Sequence, residues 1–306
     1  MTTQLPRLRG VLSPVLTPFT NDLEPDPIRF VQHCRWLTDS GVALAIFGTN
    51  SEGTSLSVSE RIKLLEAALA AGIDPAKFMP GTGCCAFPDT VELTRHAVNL
   101  GCAGVLMLPP FYYKNQSDDG LFRAFSEVIQ RVGDKRLRVY LYHIPPIAQI
   151  SLSLALIERL LKEYPGTIAG IKDSGGDWSN TEAMLQHFQS DSFDVFCGSE
   201  VFLLQTLRGG GAGCITATGN VNPAAIVDLY KTWKEPGADE KQAELATIRR
   251  AFEIMPMISS MKAALAWKRN DDQWYNVRPP LMNAPADKAA QLREALTKLG
   301  FTMPGI

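Results

Sequence analysis

Short runs of apolar residues alternate with segments of helical periodicity along most of the chain. The apolar runs are continuous rather than alternating, which is typical of strands that are covered on both faces of a parallel sheet. Eight strands are predicted, at residues 11–17, 42–48, 78–82, 103–108, 138–143, 168–172, 193–198 and 213–217.

The segments between the strands carry signals for helix starts. Ser57 with Glu60, and Ser179 with Glu182, have the spacing of capping boxes, and Ser117 precedes apolar residues at helical spacing. Eight strand–helix units predict an α/β fold, a (β/α)₈ TIM barrel. A doubly wound open sheet is the alternative, because periodicity does not reveal whether a sheet closes.

The barrel is expected to span residues 1–236 as the catalytic domain. Residues 237–306 contain no strand pattern and predict a C-terminal helical domain, with helices near 239–255, 257–269 and 286–299. This helical extension is expected to pack on the barrel or on a neighbouring subunit.

Composition narrows the class of protein. The chain has 306 residues, of which 45% are hydrophobic and 20% charged, and 30 basic against 32 acidic side chains give a net charge of −2. This balance argues against a nucleic-acid partner. No apolar run approaches the ~20 residues of a membrane helix, and the six cysteines include no CxxC pair. A soluble, reduced, cytoplasmic protein is expected.

Lys172 gives the sharpest chemical signal. It ends an otherwise apolar strand, at the end where barrel enzymes carry their active sites. Apolar surroundings strip water from an ammonium and favour the neutral amine, which can attack a ketone to form a Schiff base. The alternatives are a lysine that extends into solvent or one that pairs with Asp173.

Three other strand ends carry candidate groups. Residues 48–53 read GTNSEG, a loop whose backbone N–H groups and following helix suit a carboxylate or phosphate, although an ordinary turn fits equally. The fifth strand carries Tyr140 and Tyr142 near its end, where a phenol can relay protons or simply pack in the core. Gly198 ends the seventh and would let a ligand approach the backbone.

Three other types of site are poorly supported. Residues 81–86 match the dinucleotide pattern GxGxxA, but the acidic residue expected about 20 positions later is absent. Only His143, of four histidines, falls at a strand end, which disfavours a metal site. The chain also lacks a GxSxG nucleophile motif. We therefore expect neither a cofactor nor a metal.

Five motifs, taken together and in order, resemble the dihydrodipicolinate synthase/N-acetylneuraminate lyase family. They are GTNSEG (48–53), LPPFYYK (108–114), YHIPP (142–146), GIKDSGGD (170–177) and VRPPL (277–281). The resemblance covers essentially the whole chain. It implies a (β/α)₈ barrel with a C-terminal helical domain, a homotetramer, and Schiff-base chemistry on pyruvate or another 2-oxo acid without metal or cofactor.

The resemblance also implies roles for individual residues. Lys172 matches the Schiff-base lysine and Tyr142 the proton-shuttling tyrosine. Thr49 matches the hydroxyl that links this tyrosine to a second one from the neighbouring subunit, here Tyr112, with Tyr113 as the alternative. Thr49 and Asn50 match the positions that bind the 2-oxo acid carboxylate. Gly198 and Ile215 match positions that line the pyruvate pocket.

Two departures bear on the substrate. Ile147 stands where dihydrodipicolinate synthases have an arginine that holds the second substrate's carboxylate, and the sialate-lyase pattern after Gly198 is not matched. Asn50-Ser51 and the GIKDSGGD motif resemble the branch of the family that cleaves 4-hydroxy-2-oxoglutarate or processes 2-keto-3-deoxy sugar acids. This resemblance implies an aldolase acting on a 4-hydroxy-2-oxo acid or a 2-keto-3-deoxy sugar acid. The alternatives are a sugar-acid dehydratase, 4-hydroxy-tetrahydrodipicolinate synthase, a non-catalytic 2-oxo acid binding protein and a phosphate-binding barrel that forms no imine.

Overall fold

The computed structural model describes residues 6–188 and 192–306. The described strands are β1 (Gly10–Ser13), β2 (Ala43–Leu44), β3 (Val105–Met107), β4 (Val139–His143), β5 (Ile168–Asp173), β6 (Asp194–Cys197) and β7 (Gly213–Ile215). The α-helices are α1 (Pro27–Asp39), α2 (Val58–Ala70), α3 (Phe87–Asn99), α4 (Asp118–Val132), α5 (Pro145–Ala148), α6 (Leu154–Glu163), α7 (Trp178–His187), α8 (Leu203–Arg208), α9 (Pro223–Thr232), α10 (Ala238–Ala251), α11 (Met257–Arg269) and α12 (Ala286–Lys298).

The chain forms two compact units. One comprises the described residues of 1–10 and 74–215, and the other comprises 11–73 and 216–306. In the first unit, strands β3 to β7 lie side by side in chain order, and each neighbouring pair is parallel. Helices connect them, as parallel pairing requires. The carboxyl ends of these strands therefore meet at one edge of the sheet.

The core of the first unit explains why its strands are continuous apolar runs. Every residue of β4 and β5 is buried. Their apolar side chains share one cluster with residues of α3, α4, α6 and α7, which include Val98, Phe125, Ile157 and Met184. Burial of this apolar surface, at about 25 cal/mol per Å², holds helices and strands together.

The predicted third strand, at 78–82, is reduced to a single bridge between Gly81 and Leu106. Pro80 has no N–H to donate, although its carbonyl accepts from the Leu106 N–H at 2.9 Å. The Thr82 N–H donates back to the Leu106 carbonyl at 3.0 Å. The segment thus runs beside β3 without forming a regular ladder.

In the second unit, β1 pairs with β2 in parallel, and α1, α2 and α9 to α12 accompany them. Asn220 is fully buried and ties two segments of this unit together. Its Oδ1 accepts the Leu16 N–H at 2.9 Å, and its Nδ2 donates to the carbonyls of Pro14 and Ala217 at 3.0 and 2.9 Å. Each polar atom of this buried amide is therefore satisfied.

Helix boundaries follow the predicted signals with one exception. The Ser57–Glu60 capping box is present, and Ser117 caps α4. The box predicted at Ser179 is wrong: Asp177 caps α7 by accepting the Ser179 N–H at 3.0 Å. Aspartate is an equally good N-cap, so the helix starts earlier. The three C-terminal helices were predicted to within a few residues, whereas the domain boundary at residues 236/237 stays a prediction.

Candidate active site

Lys172 and Tyr142 are brought together by the pairing of two adjacent strands. They are direct partners in the ladder between β5 and β4, each one residue from its strand's carboxyl end. The Lys172 Nζ lies 3.1 Å from the Tyr142 Oη and 4.2 Å from the centre of the Tyr142 ring. Both side chains are buried, each 2% exposed. The pair joins an amine and a phenol in a site largely closed to water.

Asp173 does not pair with Lys172. Its Oδ2 accepts from the Thr181 hydroxyl at 2.6 Å and the Asn180 amide at 3.0 Å, and its Oδ1 accepts the Gly175 N–H at 2.9 Å. Asp173 and Lys172 are adjacent on a strand, so their side chains leave it on opposite faces. The structure therefore disfavours the alternative of a Lys172–Asp173 ion pair.

Next to Asp173, the neighbouring strand contributes His143. Its Nδ1 accepts the Leu152 N–H at 3.1 Å, and its Nε2 lies 3.9 Å from the Asp173 Oδ1. Burial lowers the pKa of His143, and the Asp173 carboxylate opposes this effect. His143 and Asp173 thus form a structural layer behind the lysine–tyrosine pair.

Gly198 lies where no side chain would fit. Its N–H donates to the Asp173 carbonyl at 2.6 Å, and a Cβ at this position would come within 2.1 Å of the Ser174 Oγ. Ile215, the last residue of β7, is fully buried. The requirement for glycine at 198 is thus explained by close packing of the backbone in the first unit.

Three buried groups of the first unit were not predicted as site residues. Cys197 and Cys214 are ladder partners on β6 and β7, and the buried Glu200 follows β6 closely. Burial raises the pKa of Cys214, as do Cys197 and the Glu200 carboxylate, whereas the Lys172 charge lowers it. The sequence did contain a signal for Glu200: it is a charged residue that closely follows an apolar strand and a glycine.

Thr49 and Asn50 belong to the second unit and are half-buried. They begin a tight loop: the N–H groups of Ser51 and Gly53 donate to the Gly48 carbonyl, and the Glu52 N–H donates to the Thr49 carbonyl, each at 3.1 Å. We expected the N–H groups of this loop to be available to an anion. This is wrong for Ser51, Glu52 and Gly53, because their N–H groups are used in hydrogen bonds that form the turn.

A buried ion pair holds this loop to the C-terminal helices within the second unit. The Lys262 Nζ lies 2.5 Å from the Glu52 Oε1 and also donates to the Asn276 carbonyl at 2.6 Å. The Arg278 N–H donates to the other carboxylate oxygen at 2.9 Å. Both side chains of the pair are fully buried. Burial lowers the pKa of Lys262 to about 8, although the Glu52 carboxylate opposes this effect.

Tyr112 and Tyr113 lie on the surface of the first unit. They are 73% and 72% exposed, and their rings pack edge to face at 5.3 Å between centres. Lys114 ties this loop to the segment after β4 by donating to the Ala148 carbonyl at 3.0 Å. In that segment Ile147 is 62% exposed. The side chains of Tyr112, Tyr113 and Ile147 are thus exposed to solvent in the isolated subunit.

Residues 6–188 and 192–306 contain neither a candidate metal cluster nor a helix that could span a membrane. No three His, Cys, Asp or Glu side chains in residues 6–188 and 192–306 cluster in a way that suits a metal ion. None of the helices described in this part of the chain has the length and apolar character to cross a bilayer.

Comparison with known proteins places this geometry in a family. The model of the dihydrodipicolinate synthetase family matches residues 7–299. The chain belongs to the dihydrodipicolinate synthetase family. One relative is an uncharacterized DapA-like lyase of Chloroflexus aurantiacus, 32% identical over 297 residues that cover 95% of this chain and 97% of the relative.

Solved structures of the dihydrodipicolinate synthetase family share the fold. A dihydrodipicolinate synthase from Agrobacterium tumefaciens superposes with a TM-score of 0.87 at 29% identity, covering 95% of this chain and 99% of that one. YagE, a prophage protein of the family from E. coli K12 whose structure was solved in complex with pyruvate, superposes with a TM-score of 0.87 at 28% identity. The match covers 96% of this chain and 99% of that one. The predicted (β/α)₈ barrel with a helical C-terminal extension is confirmed, and the protein is a lyase of this family.

Proposed function

We propose that the protein is a Schiff-base-forming lyase that cleaves or forms a carbon–carbon bond with pyruvate as one component. The observation that carries this proposal is the 3.1 Å contact between the Lys172 Nζ and the Tyr142 Oη in a buried site. Membership of the dihydrodipicolinate synthetase family and the pyruvate complex of the related YagE support it.

The chemistry begins at Lys172. Its neutral amine attacks the C2 carbonyl of a 2-oxo acid to form a carbinolamine, which loses water to give a protonated imine. This imine accepts the electrons of the C3–C4 bond when that bond breaks, so an enamine and an aldehyde result. Protonation of the enamine at C3 and hydrolysis of the imine then release pyruvate and regenerate the amine.

Tyr142 is the acid–base group in this proposal. Its hydroxyl is close enough to the Lys172 Nζ to pass protons during carbinolamine formation and to take the proton from the C4 hydroxyl during cleavage. Thr49 and Asn50 would hold the carboxylate of the 2-oxo acid, and Gly198 and Ile215 would line the pocket. Tyr112 of a neighbouring subunit would complete the proton relay through Thr49.

The second component is proposed to be a neutral hydroxy-aldehyde, so that the substrate is a 4-hydroxy-2-oxo acid or a 2-keto-3-deoxy sugar acid. This assignment rests on Ile147, an exposed apolar side chain where a carboxylate-binding arginine would favour a charged partner. Product analysis distinguishes the alternatives. Free pyruvate indicates an aldolase, whereas a 2-oxo acid that keeps all its carbons indicates a dehydratase.

The deciding experiment is reduction with borohydride in the presence of pyruvate, followed by intact and peptide mass spectrometry. We expect one adduct per chain, on the peptide that contains Lys172, and none in Lys172→Met. Lys262 is a matched internal control because it is also a fully buried lysine. An adduct on Lys262, or none in the folded wild-type protein, would contradict the proposed mechanism.

A further inference from the structure

Each residue of the lysine–tyrosine pair is followed in the chain by a residue of a second pair. His143 comes directly after Tyr142 and is the last residue of β4. Asp173 comes directly after Lys172 and is the last residue of β5, where it is the ladder partner of His143. Because side chains alternate along a strand, the second pair lies on the face of the sheet opposite to the lysine–tyrosine pair. It therefore supports the strand ends from behind.

The Asp173 carboxylate is held from several sides. Its side chain is 1% exposed, and both of its oxygens accept hydrogen bonds. The Thr181 hydroxyl and the Asn180 amide donate to one oxygen at 2.6 and 3.0 Å, and the Gly175 N–H donates to the other at 2.9 Å. Hydrogen bonds to an ionised carboxylate are short and strong, so this side chain has a fixed orientation. We call Asp173, Gly175, Asn180 and Thr181 the Asp173 anchor.

The Asp173 anchor joins the end of β5 to the helix that follows it. Asn180 and Thr181 lie in the first turn of α7, and Gly175 lies in the connecting loop. The main chain is held as well, because the Asp173 carbonyl accepts the Gly198 N–H at 2.6 Å. These contacts fix the backbone one residue beyond Lys172. They therefore set the direction in which the lysine side chain leaves the strand.

A buried carboxylate is costly for stability. An ionised group loses its hydration on burial, and buried charged groups can often be replaced by apolar residues without loss of stability. Within the described ranges 6–188 and 192–306, no arginine or lysine forms an ion pair with Asp173, and the His143 Nε2 is 3.9 Å away. Stability alone therefore does not account for a charge at this position. What the carboxylate supplies is a strand end of fixed orientation.

Orientation matters because of the contact that the strand end carries. The Lys172 Nζ lies 3.1 Å from the Tyr142 Oη, and a proton passes between them in the proposed reaction. The lysine stem is flexible, so it depends on its backbone for a fixed starting point. A displacement of about 1 Å at a reacting group can lower a rate by about 10²-fold.

We infer that Asp173 is a positioning residue: with Thr181, it holds the end of β5 so that the Lys172 amine meets the Tyr142 hydroxyl during imine formation. This inference rests on the proposed lyase function. It adds to that function a residue that acts through Lys172 and contacts neither the substrate nor the reacting atoms.

The test measures how fast pyruvate is trapped on Lys172, with borohydride in excess and pyruvate varied. Thr181→Val removes the 2.6 Å hydrogen bond and should lower the rate at saturating pyruvate by about 10- to 100-fold. The half-saturating pyruvate concentration should stay within about twofold, because no group that binds pyruvate is changed. Thr181→Ser keeps the hydroxyl and should trap near the wild-type rate. Asp173→Asn should resemble Thr181→Val, because its amide nitrogen faces groups that donate.

Thr94→Val is the matched control for a purely structural role. Thr94 is fully buried in the same unit, and its hydroxyl donates to the Thr82 hydroxyl at 3.0 Å. Each valine variant thus loses one buried donor, and urea unfolding measures how much stability each loses. Thr94→Val should trap at the wild-type rate whatever that loss is. A wild-type rate in Thr181→Val, or an equal fall in both variants, would overturn the inference.

Combination with Tyr142→Phe shows whether the Asp173 anchor acts through the lysine–tyrosine pair. Once the phenol is removed, alignment with it no longer matters. Thr181→Val should therefore slow trapping much less in the Tyr142→Phe background than in the wild type. Equal effects in the two backgrounds would contradict the inference.

A crystal structure of Thr181→Val tests the positioning role without any reaction. We expect the Lys172 Nζ and the Tyr142 Oη to lie beyond hydrogen-bond distance. An unchanged contact of 3.1 Å would overturn the inference even if the protein is a lyase. Absence of an adduct in the folded wild type would instead contradict the lyase proposal. The two failures can thus be told apart.

Discussion

At the scale of single residues, the contact between Lys172 and Tyr142 defines what the candidate site can do. Both side chains are buried, and their polar atoms are within hydrogen-bond distance at 3.1 Å. A proton can therefore pass between amine and phenol without solvent. Removal of the phenol should impair proton transfer while leaving the nucleophile in place.

Tyr142→Phe tests this separation of roles. We expect turnover to fall by about 10²–10⁴-fold, the usual contribution of a positioned acid–base group, while borohydride still traps pyruvate on Lys172, more slowly. Steady-state rates and the time course of trapping provide the two measurements. Tyr164→Phe, which removes a hydroxyl bonded to Gln130 at 2.9 Å, should leave both unchanged. Wild-type turnover in Tyr142→Phe would contradict the role.

Glu60 gives a pH dependence of stability with a definite sign. Hydrogen bonds from Arg278 lower its pKa from the ordinary 4.5 to about 2, and the Ser57 N–H adds to the effect. A carboxylate whose pKa is lower in the folded than in the unfolded state stabilises the fold at any pH above its unfolded-state pKa. This stabilisation is lost as the pH falls through the folded-state pKa. Between about pH 4.5 and about pH 2, the wild type should therefore lose more unfolding free energy than Glu60→Gln. Urea unfolding across this range measures both slopes, and parallel slopes would refute the assignment.

At the scale of elements, the loop with Thr49 and Asn50 depends on residues far away in the chain. Glu52 and Lys262 are 210 positions apart, yet their side chains form a fully buried ion pair. Removal of one partner leaves an uncompensated charge in the interior. The loop and helix α11 should therefore lose stability together.

Lys262→Met should lower the free energy of unfolding by about 3–5 kcal/mol, the usual cost of breaking a buried ion pair. The double variant Glu52→Gln with Lys262→Met should recover part of this loss, because no unpaired charge remains. Lys298→Met is the control: its partner Glu294 is 66% exposed, and the change should be under about 1 kcal/mol. Urea unfolding of the wild type, Lys262→Met, Glu52→Gln and the double variant gives the coupling energy, and strictly additive losses would show that the pair is not coupled.

These same elements show how far sequence reasoning reaches. Apolar runs located the strands because they report local burial. Ser57 and Ser117 located the starts of two helices because they are N-cap residues. The predicted strand at 78–82 is only a single bridge in the structure. Pro80 has no N–H to donate to a ladder of hydrogen bonds, and the apolar pattern does not report this. The site lysine was predicted from its place at a strand end, and its partner from a family motif. Long-range pairs such as Glu52 with Lys262 have no local signal, so they could not be predicted.

At the scale of the whole molecule, the exposed apolar side chains of Tyr112, Tyr113 and Ile147 indicate a surface that a partner covers. Large apolar side chains grouped on a surface mark interaction sites more often than isolated ones do. We propose a homotetramer in which Tyr112 of one subunit serves the site of its neighbour. Activity should then depend on assembly.

Dilution of the protein until subunits separate should abolish turnover, with sedimentation velocity as the measure of assembly. Tyr112→Phe should lower turnover in the intact oligomer, whereas Tyr113→Phe should not. The opposite pattern would assign the relay to Tyr113. Full activity of a dissociated subunit would contradict a contribution from the neighbour.

The bulge between β4 and β5 has a consequence for the length of chain that these strands tolerate. Val139 is paired with Ile168, but Tyr140 is paired with Gly170, so Ala169 is an extra residue without a ladder partner. Without residue 169, the pairing of Val139 with Ile168 would continue directly into the pairing of Tyr140 with Gly170. Tyr142 would still be the ladder partner of Lys172. We therefore expect that a protein without residue 169 keeps the lysine–tyrosine pair in place, so that chain length at one end of this strand pair is decoupled from the geometry at the other end.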